Sequence, residues 1–186
     1  MAKASPEWRT AILIGLYTGL RLGDATSLKW EDLDLDVRQY TLKTQKTGRY
    51  VINPIAGPLF DHLCELRQGS TGDYVCPTFW GRESKVLSND FNLLLSKAGL
   101  IEKRDYRQYR AEGNRRRYAG LSYHCLRHTL TSLLKSAGAS SAVAGDIVGH
   151  DSEAMSRHYT KIDLAAKREA IDKLPDLGKG EQIPKT

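Results

Sequence analysis

The sequence predicts an α+β fold, mainly helical, with a small antiparallel β-hairpin or sheet near residues 38–53. Apolar residues recur three and four apart near both ends of the chain, the repeat of one buried helical face. Two short β-prone runs near residue 40 flank a four-residue loop with a late glycine. Serine, proline and glycine punctuate the remainder at the positions where helices start and stop. The 186 residues suit one domain with a real core, since a chain of this size buries roughly 70% of the surface its unfolded form exposes.

Each element follows in order. Ser5-Pro6 is an N-cap followed by proline at the first helical position. Trp8, Ala11, Ile12, Leu16 and Leu20 then mark one helical face, and Gly19 and Gly23 bracket its end, so Arg21 lies at an element boundary. A second short helix is expected from Asp24 to Trp30, and the acidic stretch 31–36 reads as a solvent-facing turn. Strands over 40–44 and 49–52 are joined by Gln45-Lys46-Thr47-Gly48, with Lys46 at the tip. A helix is expected over 58–67, a Gly/Ser loop over 69–73, and a helix capped by Ser88 that runs through Phe91, Leu94 and Leu95 to Gly99. Further on, Leu126, Leu130, Leu133 and Leu134 form the stripe of a helix over 124–137, closed by Gly138. Helices from Ser140 or Ser141 to Gly149, and from Ser152 to about Leu174, complete the domain. Residues 175–186, with Pro175, Gly178, Gly180 and Pro184, read as a loose tail.

Composition narrows the function classes. Hydrophobic residues are 40% of the chain and charged residues 27%, values of a globular protein rather than a disordered or membrane one. No apolar run approaches the ~20 residues of a membrane span, and no signal segment opens the sequence. Cys64, Cys76 and Cys125 are odd in number and lack CxxC spacing, which argues against a disulfide framework or a zinc ribbon and suits a reducing cytoplasm. The formal charge is +6. Most of the excess sits in one place: Lys103, Arg104, Arg107, Arg110, Arg115, Arg116 and Arg117 face only Asp105 and Glu112, a local net of +5. Tyr106, Tyr109 and Tyr118 interleave with them, as expected of a surface that tracks phosphates and packs aromatics on sugars; a solvated loop is the plainer alternative.

Residues with chemical potential gather in the last third. His124, His128, His150 and His158 fall within 35 residues. On a helix, His124 shares a face with Arg127 and His128. That pair resembles a helical zinc site only superficially, because the position after the first histidine holds Cys125 instead of the glutamate a metalloprotease needs as base, and Arg127 on the same face repels a divalent cation. No metal or other cofactor is expected.

Five fragments occur in order: Arg21 in Thr18-Gly19-Leu20-Arg21-Leu22-Gly23-Asp24, Lys46 in Gln45-Lys46-Thr47-Gly48, His124-Cys125-Leu126-Arg127-His128-Thr129, Gly149-His150, and Tyr159 in His158-Tyr159-Thr160. His150 and Tyr159 are nine residues apart. This arrangement resembles the catalytic domain of the tyrosine recombinases, the phage-integrase family, over about residues 5–174. The resemblance implies a fold of the DNA breaking-rejoining type, residues 1–174 as the catalytic domain, and metal-free cleavage and rejoining of double-stranded DNA through a 3′-phosphotyrosine. It implies Tyr159 as nucleophile, Arg21 and Arg127 as phosphate-stabilising groups, His124 as general base, His150 as a phosphate or tyrosine partner, and Lys46 as general acid. Asp24, where the family more often has glutamate, would support Arg21.

The chemistry agrees with these residue types. Guanidinium is always charged and grips phosphate oxygens in a fork, and a phenol with a pKa of about 10 needs a base or positive charge nearby to react at neutral pH. Three departures stand out: Cys125 where the family commonly has aspartate, an enlarged stretch over 102–118, and the absence of the N-terminal domain that completes the DNA clamp. The last implies a fragment that is monomeric alone, whereas the full-length protein forms a tetramer on DNA. A cytoplasmic, nucleoid-associated protein is expected. A catalytically silent DNA-binding module, a topoisomerase-like enzyme and a metal-dependent nuclease are the alternatives.

Overall fold

The computed structural model describes residues 4–102, 121–149 and 163–177. Within them lie seven α-helices and one three-stranded antiparallel sheet. The helices are α1 (Pro6–Thr18), α2 (Leu22–Thr26), α3 (Gly57–Gln68), α4 (Ser84–Lys97), α5 (His124–Ser136), α6 (Ser141–Val148) and α7 (Leu164–Asp172). The strands are β1 (Leu33–Asp34), β2 (Gln39–Lys43) and β3 (Tyr50–Pro54), ordered β1-β2-β3. The α+β expectation is met. No helix among the described residues is long and apolar enough to cross a membrane.

α1 is the central helix. Ser5 caps it by accepting the Trp8 N–H at 3.2 Å, and Ala11, Ile14 and Tyr17 on its inner face are completely buried. It packs against α5 and α3. Contact with α5 is close because Gly15 carries no side chain: the Tyr123 hydroxyl fills that space and donates to the Ala11 carbonyl at 2.5 Å. Trp8 stacks obliquely on Phe79 and Phe91, with ring centroids 4.7 and 5.5 Å away, and Phe91 meets Tyr123 edge-on at 5.4 Å. These aromatics join α1, α4 and α5 into one core.

Four features differ from the sequence expectation. The second helix ends at Thr26 rather than Trp30, because the chain becomes extended there: Trp30 N–H donates to Asp73 O and Val75 N–H to Leu28 O, a bridge between distant segments. Trp30–Asp32 then forms a 3₁₀ turn. Of the acidic stretch expected as a turn, Leu33–Asp34 forms β1, because both residues pair with Tyr40 and Gln39 of β2, while Leu35 and Asp36 lie in the turn as expected. α4 begins at Ser84, four residues before the expected cap Ser88, which places Leu87 in register with Phe91 on its buried face. The tail expected to be loose from Pro175 starts with residues held on α1: the Tyr17 hydroxyl donates to Pro175 O and accepts the Leu177 N–H, both at 2.8 Å.

Gly15→Ala tests the α1–α5 contact. The added methyl carbon would sit 2.5 Å from the Tyr123 hydroxyl oxygen and 2.9 Å from a Leu126 methyl. Alanine is the better helix former by about 1 kcal/mol, yet overpacking costs about 1–3 kcal/mol. A net loss of stability, read from the urea midpoint, is the expected result.

Candidate active site

The turn between α1 and α2 sets the first candidate group. Thr18 Oγ1 donates back to Ile14 O at 2.6 Å and accepts the Leu20 N–H at 3.1 Å. Gly19 takes a left-handed φ of 67° and its N–H closes α1 on Gly15 O; a residue with a Cβ is strained in that conformation. The reversal leaves Arg21 as the N-cap residue of α2, half-buried, with its carbonyl accepting the Ala25 N–H at 2.8 Å.

The second group rides on the β2–β3 loop. Gly48, at φ 65°, donates to Thr44 O at 2.9 Å, and Thr44 N–H donates to Arg49 O at 2.9 Å. The Thr44 and Thr47 hydroxyls meet at 2.8 Å inside the loop. This tight frame leaves Lys46 exposed at the turn. The loop is fastened to α2 in two places: the buried Asp24 carboxylate accepts the Gln45 N–H at 2.8 Å, and Gln45 Nε2 donates to Ser27 Oγ at 2.6 Å. Asp24 lies three residues from Arg21, so one carboxylate ties the segment bearing Arg21 to the backbone beside Lys46.

Arg127 comes from the second turn of α5 and is only 5% exposed. Its guanidinium donates through Nη1 to Gly19 O at 2.7 Å and through Nη2 to Gly149 O at 2.6 Å. Those carbonyls belong to the C-caps of α1 and α6, the negative ends of two helix dipoles. Arg127 thereby holds the ends of two helices together. His124, one turn earlier on α5, is exposed and meets the His128 ring edge-on at 4.8 Å.

These pieces converge on a small cleft lined by Arg21, Asp24, Thr44, Thr47, Arg49 and Arg127, together with apolar groups and Gly149. Arg49 is paired with Asp146 at 2.8 Å, so Arg21 and Arg127 against the Asp24 carboxylate give the cleft its net positive character. The structure thus brings Arg21, Arg127 and the Lys46 loop together, with His124 on the same helix as Arg127. His150 and Tyr159 lie outside the described residues, as do Lys103, Arg104, Arg107, Arg110, Arg115, Arg116 and Arg117. No cluster of three or more His, Cys, Asp or Glu able to hold a metal occurs among the described residues. None of the three cysteines is in a disulfide, and burial raises Cys76 to about 12.

Beneath the cleft lies a polar network absent from the sequence reading. Asn53, fully buried on β3, donates through Nδ2 to the Tyr40 hydroxyl at 3.1 Å and to Ile147 O at 2.8 Å. Lys167 of α7 donates to Asn53 Oδ1 and Ile52 O, both at 3.1 Å, and pairs with Asp146 of α6 at 2.6 Å. Asp146 also pairs with Arg49 at 2.8 Å. The one sequence signal was an asparagine within a strand, where that residue is disfavoured unless it has a local task. Burial pushes the Tyr40 phenol up from 10.0 to about 12, against the lowering effects of Asn53 and Arg127. Tyr40 therefore stays neutral and acts as a strut.

A family model described as the phage integrase family matches residues 2–165. The tyrosine recombinase XerS of Streptococcus uberis is 29% identical over 166 residues, covering 88% of this chain and 44% of that protein. Among solved structures, the integrase from mycobacterium phage Brujita superposes with a TM-score of 0.66 at 20% identity, over 93% of this chain and 53% of that one. A lambda integrase dimer bound to a COC′ core site gives 0.60 at 19% identity, over 88% and 56%. The chain spans about half the length of these relatives.

Two substitutions test the cleft. Arg127→Lys keeps the charge, but one ammonium on a single stem does not span two carbonyls as a fork does; each buried carbonyl left without a donor costs about 1–3 kcal/mol, visible as a lowered urea midpoint. For Tyr40, the folded pKa lies above the unfolded one, so its contribution is full below pH 10 and is lost as pH climbs toward 12. The difference in melting temperature between the parent protein and Tyr40→Phe is expected to narrow over that range; a gap independent of pH would contradict the assignment.

Proposed function

The chain belongs to the phage integrase family, and on that footing we propose that residues 1–174 are the catalytic domain of a site-specific DNA recombinase that cuts and reseals duplex DNA without a metal. The observation that carries this reading is the pair of arginines, Arg21 and Arg127, lining one cleft beneath the Lys46 loop. An anion with several non-bridging oxygens, as in a phosphodiester, matches two forks arriving from different elements. Duplex DNA as the partner is supported by the lambda integrase neighbour, which is bound to a core site, and by the basic run from Lys103 to Arg117.

In the proposed reaction, the Tyr159 oxygen attacks phosphorus, the bond to the 5′ oxygen breaks, and a 3′-phosphotyrosine forms. His124 takes the phenolic proton, and Lys46 gives a proton to the departing 5′ oxygen. Arg21 and Arg127 stabilise the charge that builds on the non-bridging oxygens, and His150 adds a hydrogen bond there or positions the tyrosine. Removing one such preorganised donor costs about 2.7–4 kcal/mol of transition-state stabilisation in comparable sites. Because the phosphotyrosine keeps the ester bond energy, a free 5′ hydroxyl reseals the strand with no nucleotide cofactor. On this reading strand exchange takes four subunits on DNA, the chain off DNA is a monomer, and it resides with the nucleoid when bound.

Preorganisation supports Arg127 in this task. A guanidinium already fixed by two carbonyls pays little reorganisation when charge develops beside it. Tyr17, Tyr40 and Tyr123 do not compete for the nucleophilic role: each is buried and hydrogen-bonded through its hydroxyl.

A nicked suicide duplex incubated with the protein in EDTA is expected to yield an SDS-resistant protein–DNA adduct, which Tyr159→Phe abolishes and Tyr40→Phe retains. Loss of the adduct in EDTA, or its persistence in Tyr159→Phe, overturns the reading. A second measurement addresses the basic run: replacing Arg115, Arg116 and Arg117 with glutamine removes up to three phosphate contacts, so the slope of log affinity against log salt should flatten by up to about 2.7.

A further inference from the structure

We propose that Asp146, seated between Arg49 and Lys167, is a positioning residue that holds the Lys46 loop over the cleft. The inference rests on Lys46 acting as the general acid. Asp24 and Ser27 fasten the start of the loop, through Gln45. Its far end has a different anchor: Arg49 closes the loop by accepting the Thr44 N–H and reaches across to α6, where Nη2 meets Asp146 Oδ1 at 2.8 Å. The other carboxylate oxygen, Oδ2, meets Lys167 at 2.6 Å.

This carboxylate is itself held firmly. Lys167, 8% exposed, directs its ammonium to Asp146 Oδ2, Ile52 O and Asn53 Oδ1. Those three contacts match the three protons an ammonium offers. Asn53 in turn uses its carbonyl oxygen on Lys167 and its amide on Tyr40 and Ile147 O. Lys167, Asp146, Asn53 and Tyr40 thus fix one another from α7, α6, β3 and β2. Arg49 is the branch of the network that leads out to the loop, and its side chain is 45% exposed. An exposed ion pair contributes little stability by itself. Its consequence is geometric: a charge-assisted bond to an immobile carboxylate restricts where residues 46–49 can move.

A general acid must lie within hydrogen-bond reach of the atom it protonates, and a displacement of about 1 Å forfeits a large part of its effect. Loss of the Asp146 anchor therefore impairs proton delivery to the leaving group more than any other step. A 5′-bridging phosphorothiolate isolates that step. There the P–S bond breaks and a thiolate departs; with a thiol pKa of about 8.5 it needs no proton, so a misplaced acid no longer matters.

Cleavage rates of the 186-residue chain would be compared on oxygen-ester and phosphorothiolate suicide substrates. Asp146→Asn is expected to slow the oxygen ester by about 10–100-fold, part of the 10²–10⁴ that acid–base catalysis supplies, and to recover to within about threefold of the parent protein on the phosphorothiolate. Arg49→Gln, which leaves the buried part of the network in place, should behave alike, and the double variant should be no slower than the slower single one. Asp146→Asn that is equally slow on both substrates, or unimpaired on the oxygen ester, overturns the proposal. So does additive slowing in the double variant. Lys46→Ala serves as the reference: if the phosphorothiolate fails to rescue it, the general-acid reading is itself wrong and the positioning role falls with it. If Lys46→Ala is rescued and Asp146→Asn is not, the positioning proposal alone fails.

Discussion

The guanidinium of Arg127 bridges the C-terminal carbonyls of α1 and α6 at 2.7 and 2.6 Å, and the cleft takes its shape from that bridge. A buried arginine is costly unless its charge meets good acceptors. Two helix ends supply such acceptors, because their last carbonyls lack partners within the helix and carry the negative pole of the dipole. The exchange is mutual: the helices satisfy the arginine, and the arginine keeps their ends adjacent. Gly19 and Gly149 both sit at left-handed φ, 67° and 72°, so both chains turn sharply just where the clamp closes.

Rigidity beneath the cleft comes from a second, polar source. Asn53, Tyr40, Lys167 and Asp146 join two strands and two helices through bonds in which the donors of Asn53 and Lys167 are matched to acceptors. Such a network is stable only when every member is satisfied. It supports the hairpin from below, while Asp24 and Gln45 secure the hairpin from the α2 side. The outcome is a cationic cleft whose groups arrive from the start of α2, the β2–β3 loop and α5, each on a fixed base.

Much of the fold was legible along the chain. The cap at Ser5, the left-handed Gly19 and Gly149, the hairpin loop and the stripe of α5 all obey local rules, and the structure follows them. Misjudged boundaries had non-local causes. Residues 28–30 leave the helix because residues 73–75 offer them backbone partners, and α4 starts early because Leu87 has to face the same core as Phe91. Leu33 and Asp34 form a strand only because β2 pairs with them, a partner that two residues of sequence cannot announce.

The sequence by itself determined the residue types and their order: two arginines, a loop lysine, a histidine-arginine helix and a histidine–tyrosine pair, all chemical identities that no fold alters. Only the tertiary structure decided which partners those groups hold. That Arg127 spends donors on Gly19 and Gly149, that Asp24 binds the Gln45 amide, and that Lys167 is buried against Asp146 and Asn53 all depend on contacts between residues 20 to more than 100 positions apart. Hydrophobic periodicity records which face of an element is buried. It does not encode which buried polar atoms meet, because that is fixed by how packed elements cross to within a few tenths of an ångström.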